Sequence, residues 1–466
     1  MKTRNKMALL FILFLSINTL LFAVEEKDYV HYKEYNYSKD YILEKNFDTI
    51  YLVAASPTSD NLGSLGAHAF IVLAHGEDFS DSFAINYYAY HERLSNFAKS
   101  IKGATKGLTG YVDIREFHEI TERYTIGQNR SLFVYKTNID KSYIPIFLDK
   151  VYENKNKDLR YQFFTYNCSS FLGDIFSTIL DTADKDYYFP NLIMPARLIY
   201  LFKEQGLIVD SKIISPPLVK ILYNNIDMDK EDIIDRYDYF NTHNRETTVD
   251  DGFEKFNVSF DNFESNTIFS ENVSKLYLGM DNYNFSFGFS LFDNQLYEQR
   301  QSAIELYDFK LFDTLFNFNN GLKLKKLTLL EKSKYPKVNY STYKPSKYLI
   351  IKYNENNSSI DINGGLGLSF GTLNSVFSVI PTVETNISDL MLTLRIKSIF
   401  CFYLPNMYFL VNFDYPIYNE TINSSKQLEV NLGYNFNDKY SLSGAYDILK
   451  NQFNVYFLYK FYPLIK

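Results

Sequence analysis

The 466-residue chain has no tryptophan and only two cysteines, Cys168 and Cys401, and its 48 Lys and Arg stand against 55 Asp and Glu. Each scarcity removes a class of protein. Two cysteines cannot build the multi-bridge framework of a small secreted scaffold. A net charge of −7, with the basic residues scattered, lacks the positive stripe of a nucleic-acid binder, so no nucleic-acid partner is expected. Nothing beyond the N-terminus runs apolar for the roughly 20 residues of a spanning helix. No Cys/His cluster has ligand spacing, so neither a metal nor a cofactor is expected. What the chain has in quantity is aromatic: 41 Tyr and 41 Phe, residues that favour strands. With 46% hydrophobic residues it is too apolar for general disorder, and its length suggests two domains.

Lys2, Arg4 and Lys6 precede an apolar run over residues 7–15, and Leu20, Leu21, Phe22 and Ala23 follow the polar Ser16, Asn18 and Thr19. Residues 1–23 therefore read as a secretory signal peptide, and the protein as exported.

Two rhythms follow. Residues 49–55, 67–73 and 82–90 read as strands, while Ile144, Phe147, Leu148 and Val151, and then Phe171, Leu172, Ile175, Phe176, Ile179 and Leu180, fall at helical spacing. Residues 48–215 thus form an α+β domain, and the acid-rich residues 216–256 a linker or capping segment. From 257 to 466 apolar and polar residues alternate, as in Phe285, Phe287 and Phe289 against Ser286, Gly288 and Ser290. This pattern predicts an antiparallel meander or barrel of roughly ten strands. An outer-membrane barrel would turn the aromatic face to lipid and the Gly-, Ser- and Asn-rich face inward; a soluble barrel or sandwich would do the reverse. Residues 402–413, apolar on both faces, and Pro381 and Pro405, within strand-like runs, weigh against the membrane form.

Chemistry is concentrated in the first half. An aromatic run from Tyr161 stops at Asn167, a good N-cap residue, which places Cys168 in the first turn of a helix, where the macrodipole favours thiolate. That position suits a nucleophile, although a free cysteine is more often a small buried apolar residue. Acyl transfer by a thiol needs a base. His31 lies in a polar lead-in, His75 at a turn, His91 and His118 in loop-like or helix-edge stretches and His243 in the acid-rich segment. His68 alone opens a buried strand, after Gly63-Ser-Leu-Gly66, where it is either a base or a satisfied core residue.

These residues carry a resemblance. Gly63-Ser-Leu-Gly-Ala-His68-Ala-Phe-Ile-Val-Leu73, then Ala84-Ile-Asn86-Tyr87, then Leu159-Arg-Tyr-Gln-Phe-Phe-Thr-Tyr-Asn167-Cys168-Ser-Ser-Phe171, resemble the N-terminal periplasmic domain of Lnb-type bacterial lipoprotein N-acyltransferases. More remotely they resemble the circularly permuted papain-like folds of the lecithin:retinol acyltransferase group. The likeness covers roughly residues 48–180. It implies a permuted papain-like thiol domain with His68 as general base and acid and Cys168 as the nucleophile that becomes a thioester. It further implies Asn86 as the group orienting the imidazole, and Asn167 with the backbone N–H groups around Cys168 at the oxyanion. Ala67 stands where the family has Gly, Val72 where it often has Arg, and Ser169-Ser170-Phe171 lacks the Arg that commonly follows the Cys. Strands also stand where the family continues into transmembrane helices. The implied activity is an envelope thiol acyltransferase that moves an acyl chain from a phospholipid or lipoprotein to an amine such as a lipoprotein N-terminus. It would be membrane-associated, at the periplasm or outer membrane of a diderm bacterium. Two alternatives stand beside it: a cysteine peptidase or amidase with the same dyad, and a non-catalytic surface β protein whose N-terminal half is a degenerate binding module.

Overall fold

In the computed structural model, residues 37–57, 67–89, 102–103, 106–128, 130–155, 157, 159–163, 165–180 and 194–216 are described, as are 273–281, 284–294, 305–318, 322–336, 346–354, 359–372, 375–386, 392–404, 406–419, 426–436 and 440–461. The signal peptide over 1–23, the segment beyond Pro216 up to 256, Gly63 to Gly66, Pro405, and His31, His91 and His243 lie outside them. Contacts divide the chain into two compact units, whose described residues lie within 37–216 and 273–461.

The N-terminal unit begins with the short helix α1 (Lys39–Glu44), capped by the Ser38 hydroxyl, which accepts from Tyr41 N. Its body is a seven-stranded antiparallel sheet of order β6-β4-β3-β2-β1-β5-β7. The strands are β1 (Thr49–Ala55), β2 (His68–His75), β3 (Asp78–Ala89), β4 (Leu108–Glu116), β5 (Leu132–Thr137), β6 (Leu159–Tyr161) and β7 (Ile208–Ile214). β1 and β2 are apolar on both faces because both faces are covered, and continuous burial replaces the alternation of a half-exposed strand. One face carries Phe70, Val72 and Ala84, packed with Phe117, Ile120 and Tyr124 of α2 (Phe117–Glu122) and the π-helical turn Arg123–Gly127. Tyr87, whose side chain points to the opposite face by the period of two, stacks on Phe171 of α4 (Cys168–Leu180) at 4.8 Å. Two further helices among the described residues are α3 (Tyr143–Lys155) and α5 (Pro195–Glu204), with Phe147 and Phe202 closing on Phe176 of α4. The strands and both helices expected from periodicity over 49–180 are present.

One interruption of this sheet matters later. The β1–β2 ladder runs to Ala55↔His68, whereas the β2–β3 ladder stops at Ile71↔Ile85. β2 is therefore not laddered to β3 over its first three residues, His68 to Phe70.

The C-terminal unit is a closed antiparallel barrel of twelve strands in which the last pairs with the first. They are β8 (Val273–Asp281), β9 (Asn284–Asn294), β10 (Glu305–Phe318), β11 (Leu322–Pro336), β12 (Ser346–Asn354), β13 (Ser359–Thr372), β14 (Ser375–Asn386), β15 (Leu392–Leu404), β16 (Met407–Asn419), β17 (Gln427–Asn435), β18 (Tyr440–Asp447) and β19 (Gln452–Phe461). Closure excludes the sandwich, and the count of twelve corrects the expected ten. Bulges at Leu315/Phe316 and between Thr328 and Leu330 shift the alternation of β10 and β11, so those strands do not read cleanly by period two. Nor does Pro381 end a strand. β14 runs through it, and the pairing with β13 lapses between Gly365↔Thr382 and Leu368↔Val379, which is where its missing N–H falls.

The barrel wall turns apolar side chains outward and holds its ion pairs and an apolar cluster within. In β13 Leu368 and Phe370 are 67% and 61% exposed while Ser369 between them is 0%. Inside, Arg395 joins Asp414 at 2.6 Å and Glu384 at 3.2 Å, Lys352 also reaches Glu384 at 3.2 Å, and Lys275 meets Asp293 at 3.0 Å with neither side chain exposed. The doubly apolar stretch 402–413 also fits: Tyr403, Tyr408 and Leu410 turn inward and join Tyr335, Tyr348, Ile399 and Cys401 in a buried interior cluster.

Candidate active site

Asn167 ends the turn that follows β6 and starts α4. Its Oδ1 accepts from Ser169 N at 2.9 Å and Ser170 N at 3.3 Å, the reach of an N-cap side chain. Its Nδ2 donates to Phe163 O at 3.1 Å and faces Met194 Sδ. Cys168 is thereby fixed as the first residue of α4 and is 1% exposed.

Ala69, in the stretch of β2 that lies beyond its ladder with β3, donates its main-chain N–H to Cys168 Sγ at 3.5 Å. His68 is the preceding residue. Its Nε2 lies 3.3 Å from Asn86 Oδ1, an oxygen that only accepts, so the pair is a hydrogen bond in the tautomer with the proton on Nε2 and the lone pair on Nδ1. The structure thus brings all of His68, Asn86, Asn167 and Cys168 to one place. The His68 ring bonds Asn86, and the thiol bonds the neighbouring peptide. His118 is instead buried in α2 beside Glu116, and His75 sits at the exposed end of β2.

The imidazole is held in an aromatic stack. It lies parallel to Tyr88 at 4.8 Å and an interplanar angle of 8°, with Phe70 and Tyr124 about it. Arg123 sits over Tyr88 and donates to its hydroxyl at 3.3 Å; Arg130 sits over Tyr124 and donates to the carbonyls of Ser56 and Ala55. Burial first and then Arg130 and Arg123 push His68 down to about 3, against the upward pull of the Asn86 hydrogen bond. The ring is therefore neutral at physiological pH, the state in which Nδ1 can accept a proton.

Tyr161 was not foreseen from sequence as a site residue. Burial first, and then the neighbouring Cys168, raise its phenol well above the usual range. Tyr161 opens the aromatic run before Asn167, but nothing in its type or spacing separates it from Tyr166. Only the bridge Gln162↔Tyr166, which folds the run back on itself, distinguishes the two. Arg130 and Tyr88 were likewise unmarked. Among the described residues no group of three His, Cys, Asp or Glu side chains could hold a metal ion.

Val72, in place of the arginine frequent in the resembled family, is fully buried within β2. Ala67, in place of its glycine, has φ +66°, a left-handed conformation that glycine adopts without strain. No curated protein matches the chain. One family does: residues 37–199, which hold this whole constellation, match the Lnb N-terminal periplasmic domain, so this part of the chain is similar to the periplasmic domain of that envelope family.

Proposed function

We propose that the N-terminal unit is an envelope thiol acyltransferase. The observation that carries this is the hydrogen bond from the main-chain N–H of Ala69, next to His68, to Cys168 Sγ, while Asn86 holds Nε2 of the His68 ring. His68 Nδ1 takes the thiol proton, sulfur bonds to the acyl carbonyl carbon of a phospholipid or lipoprotein, and the C=O pair moves to oxygen. Collapse of that oxyanion expels the alcohol leaving group, which takes the proton from His68 and leaves a thioester on Cys168. An amine such as a lipoprotein N-terminus then attacks the thioester, giving up its proton through His68 and restoring the thiol. A hydrolase shares every step but the last, with water as acceptor, so product analysis separates the two.

Two further features support the reading. A strand-borne His preceding a helix-borne Cys is the order of the permuted papain-like folds. The barrel, with aromatic side chains outward and ion pairs inward, suits insertion in a bilayer, where an outer-membrane location would keep the unit close to acyl donors.

The test is intact mass spectrometry of the protein produced in a diderm host, wild type beside Cys168→Ala and His68→Ala. The expected result is a hydroxylamine-labile acyl adduct on wild type only. Absence of any adduct, together with slow alkylation of Cys168, would overturn the proposal and leave the unit as a binding module.

A further inference from the structure

The thiol chemistry just proposed, on which this inference rests, needs His68 held at a fixed angle while a proton crosses from sulfur to the ring and on to the leaving group. An imidazole turns easily about its Cβ–Cγ bond, because the torsion beside a planar ring is broad. The Asn86 hydrogen bond restrains one point of the ring, Nε2, at 3.3 Å, and the Nδ2 of that amide makes no hydrogen bond among the described residues. A point contact does not set a plane. The Tyr88 ring does, since it lies parallel to the imidazole, 4.8 Å away with 8° between the two planes. We propose that Tyr88 is a positioning residue, whose ring face together with the Asn86 amide fixes the His68 imidazole for proton transfer from Cys168.

Its setting suits that work. Asn86 and Tyr88 stand two apart on β3, so the period of two sends both to one face of the sheet, and in the register of Ile71↔Ile85 the position opposite His68 is Tyr88. Main-chain pairing between β2 and β3 has stopped by that point, and side chains make the contact instead. Tyr88 is held in turn. Arg123 donates to its hydroxyl at 3.3 Å and sets its guanidinium 5.6 Å from the ring centre, the range of a cation–π contact, while Tyr111 of β4 leans on it at 5.8 Å. Arg123 opens the π-helical turn, and Tyr124, the next residue of that turn, lies 6.1 Å from the imidazole. One turn thus braces the His68 ring twice, directly and through Tyr88. Among the described residues, the charged or titratable groups about the imidazole are Arg123, Arg130, Tyr88, Tyr124 and Cys168.

The experiment follows the full-length protein, Tyr88→Phe and Tyr88→Leu with a p-nitrophenyl acyl ester, whose burst of p-nitrophenolate reports acylation, and Cys168→Ala supplies the background. In that reaction the S–C bond forms as the ester C–O bond breaks, the thiol proton passes to His68 and then to water, and p-nitrophenolate leaves as the anion. At about pH 6 the sulfur depends on His68 to take its proton. At about pH 9.5, above the ordinary thiol pKa of about 8.5, it attacks as thiolate unaided, and His68, titrating at about 3, is neutral in both conditions. Tyr88→Leu should therefore slow the burst by about 10- to 100-fold at the lower pH and by less than about threefold at the higher. Tyr88→Phe, which keeps the ring face, should stay within about fivefold of wild type throughout. Equal slowing of Tyr88→Leu at both pH values would overturn the proposal, because damage to the fold or to ester binding does not fade when the thiol ionises by itself. So would an unimpaired Tyr88→Leu, or a Tyr88→Phe as slow as the leucine variant. If wild-type protein gives no burst at either pH, the transfer reading itself fails and takes this one with it.

Discussion

Ala67 and His68 form a pair in which a strained backbone serves a rigid ring. Holding an alanine at φ +66° costs about 1 kcal/mol relative to glycine, and the conformation launches His68 at the point where β2 leaves β3. The ring that follows is fully enclosed, and this has a measurable consequence. In the unfolded chain the imidazole titrates near 6.5, in the folded chain at about 3. Below 6.5 the unfolded state takes up a proton that the folded state refuses. Stability present above 6.5 is therefore lost progressively as the pH falls towards 3, at up to about 1.4 kcal/mol per pH unit. Wild type should lose stability relative to His68→Gln by about that amount per unit between pH 6 and 4. The readout is urea unfolding followed by tyrosine fluorescence, which no tryptophan obscures. A difference between the two proteins that does not vary with pH would contradict the enclosure of the ring.

At the level of the single strand, β13 states the barrel's surroundings most clearly. Ile360, Ile362, Leu366, Leu368 and Phe370 alternate with Asp361, Asn363, Gly365, Gly367 and Ser369, and the polar set lines the interior. A Lys at position 366, midway along β13 on the same face, is nearly indifferent in water, within about 0.5 kcal/mol, but costs roughly 2 to 4 kcal/mol near a bilayer midplane. Leu366→Lys in lipid vesicles should lower the unfolding midpoint accordingly, while Leu366→Ser should cost less; equal, negligible effects would remove lipid from that wall. Strands of this kind were legible in the sequence because a side-chain period of two survives wherever one face is uniform. β10 and β11 were not, since their bulges reset the period and their lysines occur on both faces. In the other unit, the His68, Asn86 and Cys168 positions could be read from motif order and helix start. Tyr161, Tyr88 and Arg130 could not, because what brings them to the site is a hairpin bridge and cross-sheet packing, neither of which leaves a local signal.

For the whole molecule, closure decides whether the barrel exists at all. β19 pairs with β18 on one side and with β8 on the other, and there is no free edge. Deleting residues 452–461 opens two rows of backbone groups, each costing several kcal/mol if left unsatisfied in hydrocarbon. The truncated protein should therefore lose the heat-modifiable gel mobility of a folded barrel altogether rather than shift in midpoint. Retention of that mobility would mean that β18 and β8 can close on each other.

The same seam sets an order of assembly. Asn454 pairs with Asp281, so the contact that seals the wall joins the two ends of the C-terminal unit, while every other barrel pair joins strands consecutive in sequence. Long-range pairing of this kind forms slowly, since loop entropy must be met before the contact rewards it. A chain emerging from its N-terminus presents all of the His68 and Cys168 unit before β19 exists. The N-terminal unit can thus fold early, and the aromatic wall stays open, in need of shielding from other chains, until the last ten-residue strand arrives.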